Sequence, residues 1–213
     1  MQIAYIGSDS TQQYPAEVVG SKAANVARMA ALGLPVPPAF VLPISLCSAV
    51  VNGDAAALES VRRGLTDGIK FLEKATRKTF GDRSRPVLVS VRSGAARSMP
   101  GMLDTVLDVG CTAAAIRGLV RMTGNPTFAA DCRCRFLESY GGTLLAIDRA
   151  AFNEKRNALL AAERLTSRRN FDCEALERLA RQYEQTSRMK ARCWAITRLT
   201  NLSQQRTRFT ALG

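Results

Sequence analysis

Apolar positions along this chain change their period several times, and each change marks an element. "AYIG", Ala4 to Gly7, reads as a short strand followed by a polar loop to about Pro15. In "GSKAANVARMAALGLPVPPAF", Val26, Met29, Ala30 and Leu32 recur at helical spacing, which predicts a helix with Ser21 as its N-cap. Gly33 ends that helix, and the prolines at 35, 37 and 38 forbid its continuation. "AFVLP" is the next expected strand. From Asp54 to Phe80 the stripe Leu58, Val61, Leu65, Ile69, Leu72 and Thr76 steps by three or four, so one long helix is expected. "RPVLVSV", Arg85 to Val91, is rich in β-branched residues and reads as a strand, with a second around "DTVLDVG". Beyond Gly110 the pattern is mostly helical, over 112–123, 126–140, 150–165, 172–187 and 188–203, with the best internal break at 165–172. The reading is an α+β first part, residues 1–110, with a small mixed or antiparallel sheet and helices. A mostly helical part, 111–213, follows.

Composition narrows the chemistry. The chain has 213 residues, long enough for a hydrophobic core. No run approaches the roughly 20 apolar residues that span a bilayer, and "MQIAYIGSDS" lacks the pattern of a signal peptide. A cytoplasmic protein without a membrane segment is therefore expected. Lysine and arginine total 30 against 18 acidic residues, a net charge of +12 that favours anionic partners. Residues 151–213 carry 13 of the basic and 6 of the acidic side chains, so the tail is the more basic part for its length. Six cysteines include one C-x-C, Cys132 and Cys134, a poor zinc site without histidine, and reduced thiols are expected. Histidine is absent, which removes His-based nucleophilic catalysis and any phosphohistidine on these residues.

Two short regions concentrate anion-binding chemistry. Lys22, in "GSKAAN", falls in the first turn of the predicted helix, where unpaired N–H groups and the helix dipole favour an anion. In "VLVSVRSGAARSMPGMLDTVLDVG", Arg92 leaves an apolar strand beside Ser93 and Gly94, and a guanidinium there can grip phosphate oxygens in bidentate fashion. Small residues let a ligand approach the backbone closely, and Gly101 after Pro100 marks a shaped turn. No G-x-x-x-x-G-K-[ST] motif is present. Asp104 and Asp108 do not form a close carboxylate pair for magnesium, since turn and strand do not align residues four apart.

The strings "VGSKAANVARMAALGLPVPPAFVLP" and "PVLVSVRSGAARSMPGMLDTVLDVG" closely resemble the N-terminal nucleotide-binding domain of pyruvate, phosphate dikinase. "GNPTFAADCRCRFLESYGG" carries a weaker echo, and past about residue 150 the similarity thins. The resemblance implies a partial ATP-grasp fold in which ATP, bringing its own Mg2+, lies between lobes. By position it assigns Lys22 and Arg92 to the ATP phosphates. The segment closing over the nucleotide corresponds to Ser98–Thr105, with Ser93, Gly94, Met99, Gly101, Asp104 and Thr105 as nucleotide-site residues. No catalytic or metal-ligating residue is assigned.

The family's metal-binding lobe, phosphohistidine domain and pyruvate-binding barrel have no counterpart in these residues. The expectation is thus the ATP-binding portion of a dikinase-like phosphotransferase, dependent on a second polypeptide or on self-association. A non-catalytic regulatory or assembly module derived from that domain is the first alternative. A basic nucleic-acid-binding protein is the second, ranked last because aromatic residues are only 6% and none visibly interleave with the cations.

Overall fold

A computed structural model describes residues 3–7, 10–92 and 105–190. The chain divides into two compact units, Met1–Thr105 and Val106–Gly213.

The first unit is built around a two-stranded antiparallel sheet, β1 (Ala4–Ile6) against β2 (Ala39–Val41), in the register Ala4 to Val41, Tyr5 to Phe40 and Ile6 to Ala39. Alternation along the strands gives the sheet two different faces. Ile6 packs with Ala27 and Ala30 of α2 (Ser21–Ala31) and with Val36. Tyr5 sits against Phe71 of α4 (Ala55–Thr76), ring centroids 4.9 Å apart. Tyr14 ties the strand to the loop that follows it: its hydroxyl donates to the Tyr5 carbonyl and accepts from the Tyr5 N–H, both at 3.2 Å. The short helices α1 (Ala16–Val19) and α3 (Leu46–Val51) complete this part.

Helix α4 begins as its sequence requires, with the Asp54 carboxylate accepting from the N–H groups of Ala56 at 2.8 Å and Ala57 at 3.2 Å. Its buried face matches the expected stripe at Leu72 and departs from it elsewhere. Ala57, Gly64, Gly68 and Leu72 are buried, whereas Leu58 and Leu65 are 39% and 46% exposed. Small residues allow the helix to lie close to the sheet: a Cβ on Gly68 would collide with the Phe40 ring. Gly68→Ala is accordingly expected to cost about 1–3 kcal/mol, because the ring must leave its position. Urea denaturation of the full chain checks this, and an unchanged midpoint would contradict the packing.

The helix also stops earlier than the periodicity suggests. Arg77 adopts a left-handed conformation at φ 54, and the chain then forms β3 (Thr79–Phe80) in place of a final helical turn. The Glu73 carboxylate, within the helix, accepts from the Phe80 N–H at 2.8 Å and holds that reversal. β3 pairs in parallel with β4 (Pro86–Val87). The expected strand over 85–91 is two strands, β4 and β5 (Val89–Arg92), interrupted at Leu88.

The second unit is helical after β6 (Thr105–Val109). It contains α5 (Ala113–Thr123), α6 (Pro126–Leu144), α7 (Arg149–Ala162), a 3-10 turn (Arg168–Asn170) and α8, described over 173–190. Four side chains cap the N-termini. Thr112 accepts from Ala115, Asn125 from Phe128, Asp148 from Ala150 and Asp172 from Ala175, at 2.8–3.1 Å. Phe152 of α7 and Tyr183 of α8 are fully buried and meet edge to face at 4.9 Å, and the Tyr183 hydroxyl donates to the Phe152 carbonyl at 3.2 Å. A Cβ on Gly141 of α6 would run into the Phe152 ring, so glycine there is what admits the aromatic. The segment 165–172 breaks helix but not core, since Phe171 is buried in the same cluster as Phe152 and Tyr183.

The chain is thus α+β, with two-stranded sheets early and helices dominating later. Among the described residues no helix is long and apolar enough to cross a membrane.

Candidate functional site

Gly20 explains the local form of the first anion-binding region. It takes φ 87 and ψ 150, a backbone conformation that side chains rarely tolerate, and it turns α1 directly into α2. Gly20, not Ser21, is therefore the N-cap, and Ser21 is the first residue of the helix. Among the described residues no side chain accepts from the first-turn N–H groups of α2, and no acidic residue lies in that turn. By contrast, α4, α5, α6, α7 and α8 all have an Asp, Asn or Thr side chain doing so. Lys22 stands exposed in this first turn and has no ion-pair partner among the described residues. Donors, dipole and a mobile cation all favour an anion at this end. The expectation of a Ser21 cap missed this, although the only signal was a glycine where a capping side chain would stand.

Arg92 ends β5, is exposed, and belongs to the same unit as Lys22. Thr105, half-buried, opens β6. Ser93, Gly94, Met99, Gly101 and Asp104 lie outside the described residues, so the structure places three of the eight candidate residues. Lys22 and Arg92 come from separate elements, a helix start and a strand end, as the spacing of their motifs predicts. Among the described residues no three His, Cys, Asp or Glu side chains gather to hold a metal ion.

The second unit carries its charge differently. Arg168 reaches Asp131 at 2.7 Å and Glu138 at 3.3 Å, Arg135 joins Asp131 at 2.6 Å, and Arg156 joins Glu138 at 3.5 Å. Arg133, 11% exposed, bonds the Cys111 carbonyl at 2.6 Å and Glu184 at 3.3 Å. These pairs tie α6 to the helices around it and leave no free cation for a ligand within the network.

Burial pushes the Cys111, Cys132 and Cys134 thiols up to about 12, and the Tyr183 hydroxyl likewise to about 12. Thiols held neutral are poor nucleophiles. Iodoacetamide at neutral pH is expected to label exposed Cys47 well before these three, as mass spectrometry of the native protein would show. The same shifts make stability pH-dependent. The unfolded chain begins to lose these protons near pH 9, whereas the folded one keeps them to about 12. Stability that is complete below about pH 9 should therefore drain away as pH rises towards 12. Equal urea midpoints at pH 8 and 10.5 would contradict the burial of these groups.

An early α+β unit with a lysine-bearing helix start, followed by a helical unit, is the architecture shared with the following relatives over part of their length only. No family model matches. The chain is 40% identical to the pyruvate, phosphate dikinase of Rhizobium meliloti (strain 1021) over 136 residues, which is 64% of this chain and 15% of that protein. It is 32% identical to the Clostridium symbiosum pyruvate, phosphate dikinase over 167 residues, 78% of this chain and 19% of that protein. With pyruvate, phosphate dikinase 1, chloroplastic, of Zea mays it shares 37% over 169 residues, 79% of this chain and 18% of the plant protein. The chain belongs with the pyruvate, phosphate dikinases as a fragment-length relative, spanning less than a fifth of the proteins it matches.

Proposed function

We propose that this chain is an adenine-nucleotide-binding module of ATP-grasp type, derived from the nucleotide-binding part of a pyruvate, phosphate dikinase. The observation that carries the reading is the start of α2: first-turn N–H groups that no side chain of the described residues caps, with exposed Lys22 among them, in a chain related to dikinases. Lys22 and Arg92 contact the triphosphate, with Ser93 and Gly94 beside Arg92 at the nucleotide, and Met99, Gly101, Asp104 and Thr105 belong to the segment that closes over it. These cations act by positioning and by neutralising phosphate oxygens, not by covalent chemistry. Mg2+ arrives with the nucleotide. With no histidine among the 213 residues, a phosphohistidine step would need a residue outside them. A second polypeptide, or a second copy of the chain, would have to supply the remaining wall of the site.

Exposed charge contacts are weakened by solvent, so an ATP dissociation constant from high micromolar to millimolar is expected. Lys22→Ala and Arg92→Ala should each weaken it about five-fold, equivalent to about 1 kcal/mol. Arg181→Ala, an exposed charge on α8, should leave it unchanged. Isothermal calorimetry decides the matter. Unchanged affinity in both site variants, or a submicromolar constant for the wild type, would defeat the proposal.

A further inference from the structure

The end of α4 and the turn after it gather a charge that the proposed nucleotide site does not use. Residues 70–85 include six cations, Lys70, Lys74, Arg77, Lys78, Arg83 and Arg85, against two carboxylates. Both carboxylates are turned onto the backbone. Glu73 accepts from Phe80 N–H at 2.8 Å, and Asp82 accepts from the N–H groups of Ser84 at 3.0 Å and Arg85 at 2.7 Å. None of the six cations has an ion pair among the described residues, whereas seven arginines of the second unit do. The negative end of the α4 dipole accounts for Lys74 and Arg77. It does not account for Arg83 and Arg85, which lie beyond the turn and are exposed.

An aromatic residue lies within this cationic stretch of chain. Phe80 is 36% exposed, and Gly81 at φ 73 turns the chain sharply between it and Asp82. The bond from Glu73 fixes the backbone of Phe80 to α4, so the ring is presented from an anchored position. Cations alone would suit any polyanion. Cations around an exposed ring suit one whose anionic groups alternate with flat, stackable faces, which is single-stranded nucleic acid and not an acidic peptide. The linear sequence hides this, because Phe80 reads there as the end of a helix.

We infer that the turn joining α4 to β4, with Phe80 as a stacking platform and Lys74, Arg83 and Arg85 as phosphate contacts, is a binding surface for single-stranded nucleic acid. The surface uses none of the residues assigned to the nucleotide, Lys22 and Arg92 included, and the inference stands without the proposed ATP site.

The test is fluorescence anisotropy of the full chain with a labelled 12-nucleotide oligouridylate across a salt series. Lys74→Gln/Arg83→Gln/Arg85→Gln together should weaken binding at least ten-fold and flatten the log–log salt slope by about 2. Phe80→Ala should weaken it about five-fold or more with the slope unchanged. All four positions bear exposed side chains, so the variants should keep the wild-type circular dichroism. Arg164→Gln/Arg181→Gln/Lys190→Gln removes the same charge from the second unit and should have no comparable effect. Three results would each overturn the inference. One is equal loss in both triple variants, which marks a diffuse charge effect. Another is polyglutamate binding as tightly as oligouridylate, which marks an acidic protein partner. The last is loss in Lys22→Ala/Arg92→Ala with none in the turn variants, which marks oligonucleotide captured by the nucleotide site.

Discussion

Phe152→Ala is expected to destabilise the chain by about 3–5 kcal/mol, read as a lowered urea midpoint with an unchanged slope. The ring is fully buried between three helices. It meets Tyr183 edge to face, and it occupies space that Gly141 of α6 leaves open. Alanine would remove the contact with Tyr183 and leave a cavity whose walls are helices fixed by their own caps, so collapse around it would be partial. The backbone carbonyl that receives the Tyr183 hydroxyl stays in place. Phe152→Leu, which keeps much of the volume, should therefore cost far less. Equal losses for the two variants would show that the ring does not fill the site as described.

The second large effect is expected from Arg168→Ala, at about 2–3 kcal/mol. Arg168 is three-quarters buried and bridges Asp131 and Glu138 from the turn between α7 and α8. Removing one partner from a buried ion pair strands the other's charge, commonly at about 3–5 kcal/mol. Here the loss should be smaller, because Asp131 keeps Arg135 and Glu138 keeps Arg156. Asp131→Asn would separate the contributions in a double-mutant cycle, with a coupling energy of about 1 kcal/mol expected. Coupling near zero would mean the 2.7 Å contact contributes no stability of its own. Methionine at 168, which restores volume without charge, should recover part of the loss.

Several elements were legible because their signals are local. Proline and glycine bracket α2, and a strand-forming run precedes Arg92. The helix at 54 announces itself through Asp54, and the one at 126 through Asn125 and Pro126. The places of Lys22 and Arg92, at a helix start and a strand end, were legible in the same way. Less legible were features in which two distant segments compete. The apolar stripe of α4 pointed to Leu58 and Leu65, yet the helix buries Gly64 and Gly68, and at Gly68 the Phe40 ring occupies the space that a larger residue would need. Helical periodicity continued to Phe80, but Arg77 turns left-handed and Glu73 captures the amide that a further turn would have used.

Where most helices begin, and that Lys22 stands at a helix start and Arg92 at a strand end, follow from residue spacing, caps and breakers, and these the amino-acid order determined alone. Tertiary structure decided which helix face is buried, that Gly20 leaves α2 without a side-chain cap, and that Phe80 is exposed in a turn whose cations form no ion pair among the described residues. The reason is that burial and pairing are properties of two surfaces meeting. A pattern along one segment records what that segment can offer, and only the packed partner selects among the offers.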